Sequence, residues 1–173
     1  MYSFLKGRIV SKQQNTPFGT FLILEVNNIG YSILVNKKTL EKLPNEGSTV
    51  AIYTQLIHKE DNMYLCGFTS AQERDLFNFL QSVSGIGVKV AQNLLGELEP
   101  LEIMSAVIKQ DHKALSKSKG IGPKIAQRIV FELKDKMVNW RPEFEKHSKE
   151  TTEVQKIESY IEAESILISL GYN

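Results

Sequence analysis

The sequence predicts an α+β chain in separate parts, with strands first, helices second and a lone helix at the end. Three observations predict it. Residues 1 to 68 hold five short runs rich in β-forming residues, divided by turn signals, and residues 69 to 139 switch to the 3.6-residue apolar period of helices. Within that second stretch, Ser84-Gly-Ile-Gly-Val-Lys-Val-Ala-Gln92 returns 35 residues later as Lys119-Gly-Ile-Gly-Pro-Lys-Ile-Ala-Gln127. A chain of 173 residues, 42% of them hydrophobic, has material for one ordinary domain or two to three small ones.

The strands come in order as Phe4 to Val10, Phe21 to Val26, Tyr31 to Val35, Val50 to Ile57 and Met63 to Phe68. Asn27-Asn28-Ile29-Gly30 turns the chain between the second and third. A short helix, Lys37 to Leu43, closed by Pro44, separates the third from the fourth. Five short strands with a small helix between the third and fourth is the order of an OB-type barrel. His58-Lys59-Glu60-Asp61-Asn62 joins the last two strands. Asp and Asn are ordinary residues for a solvated hairpin turn, although adjacent carboxylates are also metal ligands when others join them. No further Asp, Glu or His stands at ligand spacing here.

Ser70-Ala-Gln-Glu73 reads as a capping box opening a helix with Leu76, Phe77, Leu80 and Val83 on its apolar face. The first Gly-Ile-Gly follows, then a helix from Val88 to Leu95 with Gly96 as the C′ residue. Pro100 starts a helix through Ile108, Asp111 caps the next, and the second Gly-Ile-Gly ends it. Pro123 opens the last helix of this part, with Ile125, Ile129, Leu133 and Met137 along one stripe. In each repeat a Gly-hydrophobic-Gly turn precedes a helix, with a lysine two residues after the second glycine. Glycine permits positive φ, and the first N–H groups of a helix lack internal partners and carry the positive end of its dipole. Together they make an anion site that reads charge and not base identity, which suits a phosphodiester. Ile86 and Ile121 plug the turns, while Ala91 and Ala126 allow close helix packing. This is the tandem helix-hairpin-helix pattern, and Gly85, Ile86, Gly87, Lys89, Gly120, Ile121, Gly122, Lys124 and Arg128 are its candidate DNA-binding residues. A period of 35 also suits tetratricopeptide arrays, but those need three or more copies and a Trp/Leu/Tyr signature absent here.

From residue 140 to 155 the period stops and Arg141-Pro142 and Lys149-Glu-Thr-Thr152 suggest a flexible linker. An amphipathic helix from Lys156 to Leu170 ends the chain at Gly171. The formal net charge is +1, unevenly spread: residues 1 to 139 carry 17 basic and 13 acidic side chains, residues 140 to 173 carry 4 and 7. Such a body has modest affinity for duplex, so tight binding needs geometry or several subunits. The single cysteine, Cys66, excludes an internal disulfide and fits a reducing cytoplasm. No signal segment opens the chain, and no apolar run approaches a membrane span. No Walker A pattern, Ser/His/Asp or Cys/His arrangement supports a catalytic site, and no metal or cofactor is expected.

These motifs in this order, with Gly30-Tyr31, Lys59-Glu60-Asp61, Leu65-Cys-Gly-Phe68, Gln72-Glu-Arg-Asp-Leu-Phe77 and Glu132-Leu-Lys-Asp135, resemble the RuvA family of bacterial Holliday-junction branch-migration proteins. The likeness runs almost continuously over residues 1 to 139 and resumes at Ala163 to Tyr172. It implies an OB-type barrel over 1–68, a tandem helix-hairpin-helix domain over 69–139, a linker over 140–155 and a truncated UBA-like third domain over 156–173. It implies further a homotetramer or face-to-face octamer that holds a four-way junction open, with the RuvB ATPase as motor and the RuvC resolvase as a further partner. The family's acidic pin falls on Glu60 and Asp61, and the motor contact on Ile161, Leu167 and Leu170. Departures are Val88 and Lys119 at positions where proline is common, a loop around Asn15 to Gly19 that looks long, and one helix where the third domain has three. The rival expectation is a repair enzyme or structure-specific nuclease that uses tandem hairpins as its grip. A protein-interaction module whose hairpins are only structural is the remaining alternative.

Overall fold

The computed structural model describes residues 3–60, 62–141 and 144. Strands β1 (Phe4–Thr16), β2 (Gly19–Val26), β3 (Ile29–Leu34), β4 (Thr49–Lys59) and β5 (Asn62–Phe68) close a barrel in the order β1-β2-β3-β5-β4. Helix α1 (Lys37–Lys42) lies between β3 and β4, capped by the Asn36 side chain, which accepts from the Thr39 N–H at 2.7 Å. All pairings are antiparallel except the short β3–β5 contact through Ile33↔Leu65 and Leu34↔Cys66, the seam that shuts the barrel. Leu5, Ile9, Leu22, Leu24, Ile33 and Ile52 fill it. Each fully buried aliphatic side chain contributes about 1.5–3 kcal/mol.

The strands run further than their apolar runs suggested. The first continues to Thr16, which pairs with Gly19, so the segment expected to be a long loop is a tight turn at Pro17-Phe18. The second turn is Asn27-Asn28 alone, both with positive φ (50° and 64°), and Ile29 and Gly30 already belong to β3. Two left-handed residues match the twist of a two-residue hairpin, which is why the turn needs no more.

Five helices follow: α2 (Ala71–Gln81), α3 (Val88–Glu97), α4 (Pro100–Ile108), α5 (His112–Leu115) and α6, helical over 123–141. Ser70 caps α2 by accepting from the Glu73 N–H at 3.1 Å. The Glu73 carboxylate does not return to Ser70 as a capping box requires; it accepts instead from the N–H and hydroxyl of Thr69 at 2.9 and 2.8 Å. Gly96 is not a C′ residue, since α3 continues to Glu97. A Cβ on it would lie 3.4 Å from the Asn36 Cβ, so its small size serves the close approach of α1. Helix α6 runs through Arg141 because Trp140 sits edge-on to Phe79 and Phe144, with ring centroids 5.3 and 5.1 Å away.

Barrel and helices share a core. Ile57, Cys66 and Phe68 from β4 and β5 join the cluster of Leu76, Phe77, Leu80, Leu94 and Ile103, and the Phe68 and Phe77 rings meet at 4.9 Å. Outside it, Glu99 at the start of α4 receives Lys38 at 2.8 Å and Lys42 at 3.4 Å from α1. Lys38 above all holds the Glu99 carboxyl below its ordinary value. Among the described residues no helix is long and apolar enough to cross a membrane. The expected C-terminal helix and its Ile161, Leu167 and Leu170 lie outside the described residues, as does Asp61.

Candidate nucleic-acid interface

The two glycine turns are closed by matching backbone bonds. In the first, the Ile86 N–H donates to the Val83 carbonyl at 3.1 Å; in the second, the Ile121 N–H donates to the Ser118 carbonyl at 3.0 Å. Gly85 and Gly120 stand at φ of 91° and 92°, a region costly to any residue with a Cβ. Ile86 and Ile121 turn inward and are buried, and Ala91 and Ala126 are fully covered, so both plugs and both small contacts sit as the repeat predicts.

The second glycine of each turn has a different reason to be glycine. Gly87 holds an ordinary φ of −91°, and a Cβ added to it or to Gly122 would meet nothing within 4 Å. Neither its own backbone nor the packing requires it. What its smallness leaves is open space in front of a helix start. Gly87 caps α3 without a side chain, and the first N–H to bond back into the helix is that of Ala91, to the Gly87 carbonyl at 3.0 Å. In α6 the Ala126 N–H does the same to Gly122 at 2.9 Å. The N–H groups between, those of Val88, Lys89 and Val90 in α3 and of Lys124 and Ile125 in α6, where Pro123 has none, stand at the positive end of a helix dipole, with Lys89 and Lys124 exposed beside them.

The fold brings both turns into one patch. Arg128, which follows the second turn in sequence, lies against the first: its Nη1 donates to the Ser84 carbonyl at 3.0 Å, while its Nε stands 3.8 Å from Glu132. In the other direction the Lys119 N–H faces both carboxylate oxygens of Glu97 at 3.3 Å, and a Cβ on Gly120 would touch Val90 of α3 at 3.4 Å. Gly85, Ile86, Gly87 and Lys89 thus sit with Gly120, Ile121, Gly122, Lys124 and Arg128. Sequence reasoning missed Glu97, because nothing in a one-dimensional repeat ties it to a residue 22 positions away. It also treated Gln92 and Gln127 as equivalents. Gln127 is exposed, whereas Gln92 is buried with neither amide atom hydrogen-bonded.

Glu60 is exposed in the β4–β5 hairpin, just beyond the last ladder pair, Lys59↔Asn62. Met63 on the same arm is 65% exposed, so the hairpin stands clear of the barrel. Cys66 is fully buried, and burial pushes its thiol up to about 12. The nearby Gln92 amide opposes that shift weakly, although it lies outside hydrogen-bond geometry. A thiol so placed stays protonated and is a core residue. Among the described residues no three His, Cys, Asp or Glu side chains gather into a set that could hold a metal ion.

A closed five-strand barrel that shares a core with helices carrying two cross-linked glycine turns defines a barrel-plus-tandem helix-hairpin-helix protein whose open amides suit a sugar-phosphate backbone. Residues 1–67 match the family described as RuvA N terminal domain, and residues 77–135 match the SAM-like Helix-hairpin-helix tandem. The Holliday junction branch migration complex subunit RuvA of a Picosynechococcus species is 39% identical over 99% of this chain and 82% of that relative. The protein of the same name from Acetivibrio thermocellus is 38% identical over 100% and 84%. That from a Bradyrhizobium species is 37% identical over 99% and 83%. The chain belongs to the RuvA family.

Proposed function

We propose that this chain binds four-way junction DNA without sequence preference and holds it open for branch migration in recombination and repair. The observation that carries this is the pair of matched glycine turns, each with an unencumbered second glycine, a free helix start and an exposed lysine. Backbone amides and lysines position phosphates and carry no base information, which is what a junction sliding through any sequence demands. The relatives' shared name supplies the setting.

Four subunits supply the geometry that a net charge of +1 cannot. Phe131 is 88% exposed and Val138 48% exposed, two turns apart on one face of α6, and such apolar surface favours assembly. In a homotetramer four copies of Glu60 and Asp61 gather where the arms meet. Like charges at 4 Å repel by up to about 4 kcal/mol at an effective dielectric of 20, and less in salt, enough to keep continuous duplex from the centre. The subunit has no catalytic role of its own and works in the cytoplasm with the ATP-driven RuvB motor, through Ile161, Leu167 and Leu170. A second tetramer completing an octamer, and RuvC, are further partners.

The test is a gel shift comparing a four-way junction with linear duplex across salt, run beside a solution mass measurement. Junction preference with a tetramer mass supports the reading; equal affinity for both DNAs, or a particle that stays monomeric, overturns it. Incubating labelled junction with magnesium separates the nuclease alternative, which requires a cut strand.

A further inference from the structure

We infer that Glu97 is a positioning residue for the second glycine turn, holding it at the spacing from the first that lets both engage one duplex. The inference rests on the junction-binding reading above. Glu97 ends α3, the helix opened by the first turn, and its carboxylate reaches across to the N–H of Lys119, immediately before Gly120. Ser84 holds the equivalent place before Gly85, and its carbonyl receives the Arg128 guanidinium from the helix opened by the second turn. The same position in each turn is therefore held by a side chain from the other repeat. The ties are reciprocal in direction and opposite in polarity, a carboxylate on an N–H in one and a guanidinium on a C=O in the other.

Ser84, Glu97, Lys119 and Arg128 are all exposed, so these ties add little to the core. What they fix is geometry. Two phosphate sites on one body act bivalently only at a matched separation, and a turn free to pivot loses that advantage. Glu97 is also the wrong charge for its surroundings. A carboxylate beside a phosphate-binding turn repels DNA, so on electrostatic grounds alone its removal tightens binding. Positioning predicts the opposite sign.

The experiment uses the full chain with Glu97→Ala, Glu97→Gln and Glu97→Asp. Junction affinity is measured at fixed salt, and amide hydrogen exchange at Lys119 is followed without DNA. Glu97→Ala is expected to weaken junction binding about three- to tenfold and to speed Lys119 exchange. Glu97→Gln, whose side-chain oxygen still accepts, stays within about twofold of wild type or binds more tightly. Glu97→Asp, which keeps the charge but withdraws it by one methylene, weakens binding as Ala does. Glu97→Ala binding as tightly as wild type or tighter overturns the inference, and so does unchanged exchange at Lys119. A wild-type protein without junction preference instead overturns the proposed function, while the exchange measurement still decides the tie.

Discussion

Four glycines of identical spelling answer to two different pressures, and substitution separates them. Gly85 and Gly120 occupy left-handed backbone, so Gly85→Ala and Gly120→Ala are each expected to cost about 1–2 kcal/mol of stability in urea unfolding. Gly87→Ala and Gly122→Ala meet no neighbour. They are expected to leave the melting midpoint unchanged or slightly raised, yet, on the proposed reading, to weaken junction binding in the gel shift, because the methyl group enters the open space that reading gives to a phosphate. A second residue-scale expectation concerns Glu99. Its carboxyl lies below its ordinary value, so the Lys38 and Lys42 contacts stabilise the fold above the unfolded carboxyl pKa, and that contribution is lost as pH falls through the lowered one. At a side-chain exposure of 48% the effect is small, about 0.5 kcal/mol at neutral pH. Lys38→Ala is expected to move the Glu99 titration upward in an NMR pH series and to leave acid stability untouched. Individual residues were legible where the chain repeats itself: Ile86, Ile121, Ala91 and Ala126 sit as their register requires. Gln92 was not, because burial against β5 depends on a strand 26 residues earlier, around Cys66.

At the scale of elements, hydrophobic period and turn chemistry located every strand and helix now described, and erred at ends. Strands outlasted their apolar runs because a ladder continues through polar residues such as Gln13 when a partner, here Phe21, is in register. Ser70 caps α2 as its spacing predicts, but the return half of the capping box moved by one residue because Glu73 found Thr69, a choice between neighbouring donors that spacing alone does not make. The reversal after Lys59 was legible as a turn from the residues; the acidic pin at Glu60 and Asp61 is an expectation of the resemblance and remains a proposal. Neutralising it with Glu60→Gln and Asp61→Asn is expected to raise affinity for linear duplex and shrink the preference for junctions, read from the same two titrations. Unchanged preference would remove the pin's role.

For the whole molecule, the decisive quantities are assembly and the relation between its two parts. Replacing an exposed apolar side chain on α6, as in Phe131→Asp, is expected to yield a smaller particle by light scattering with the melting midpoint preserved, since that side chain contributes little to the monomer's core. None of this was legible from composition, because a surface patch is a property of spatial neighbours. The same holds for the shared interior of barrel and helices. Phe68, Cys66 and Ile57 read as the end of one domain, yet they are the floor on which Phe77 and Leu94 stand. Parts joined by a string can each follow a different piece of DNA; parts cast in one block cannot. The angle between the glycine turns and the β4–β5 turn is therefore set when the chain folds; on the proposed reading, it is the nucleic acid that has to bend to meet both.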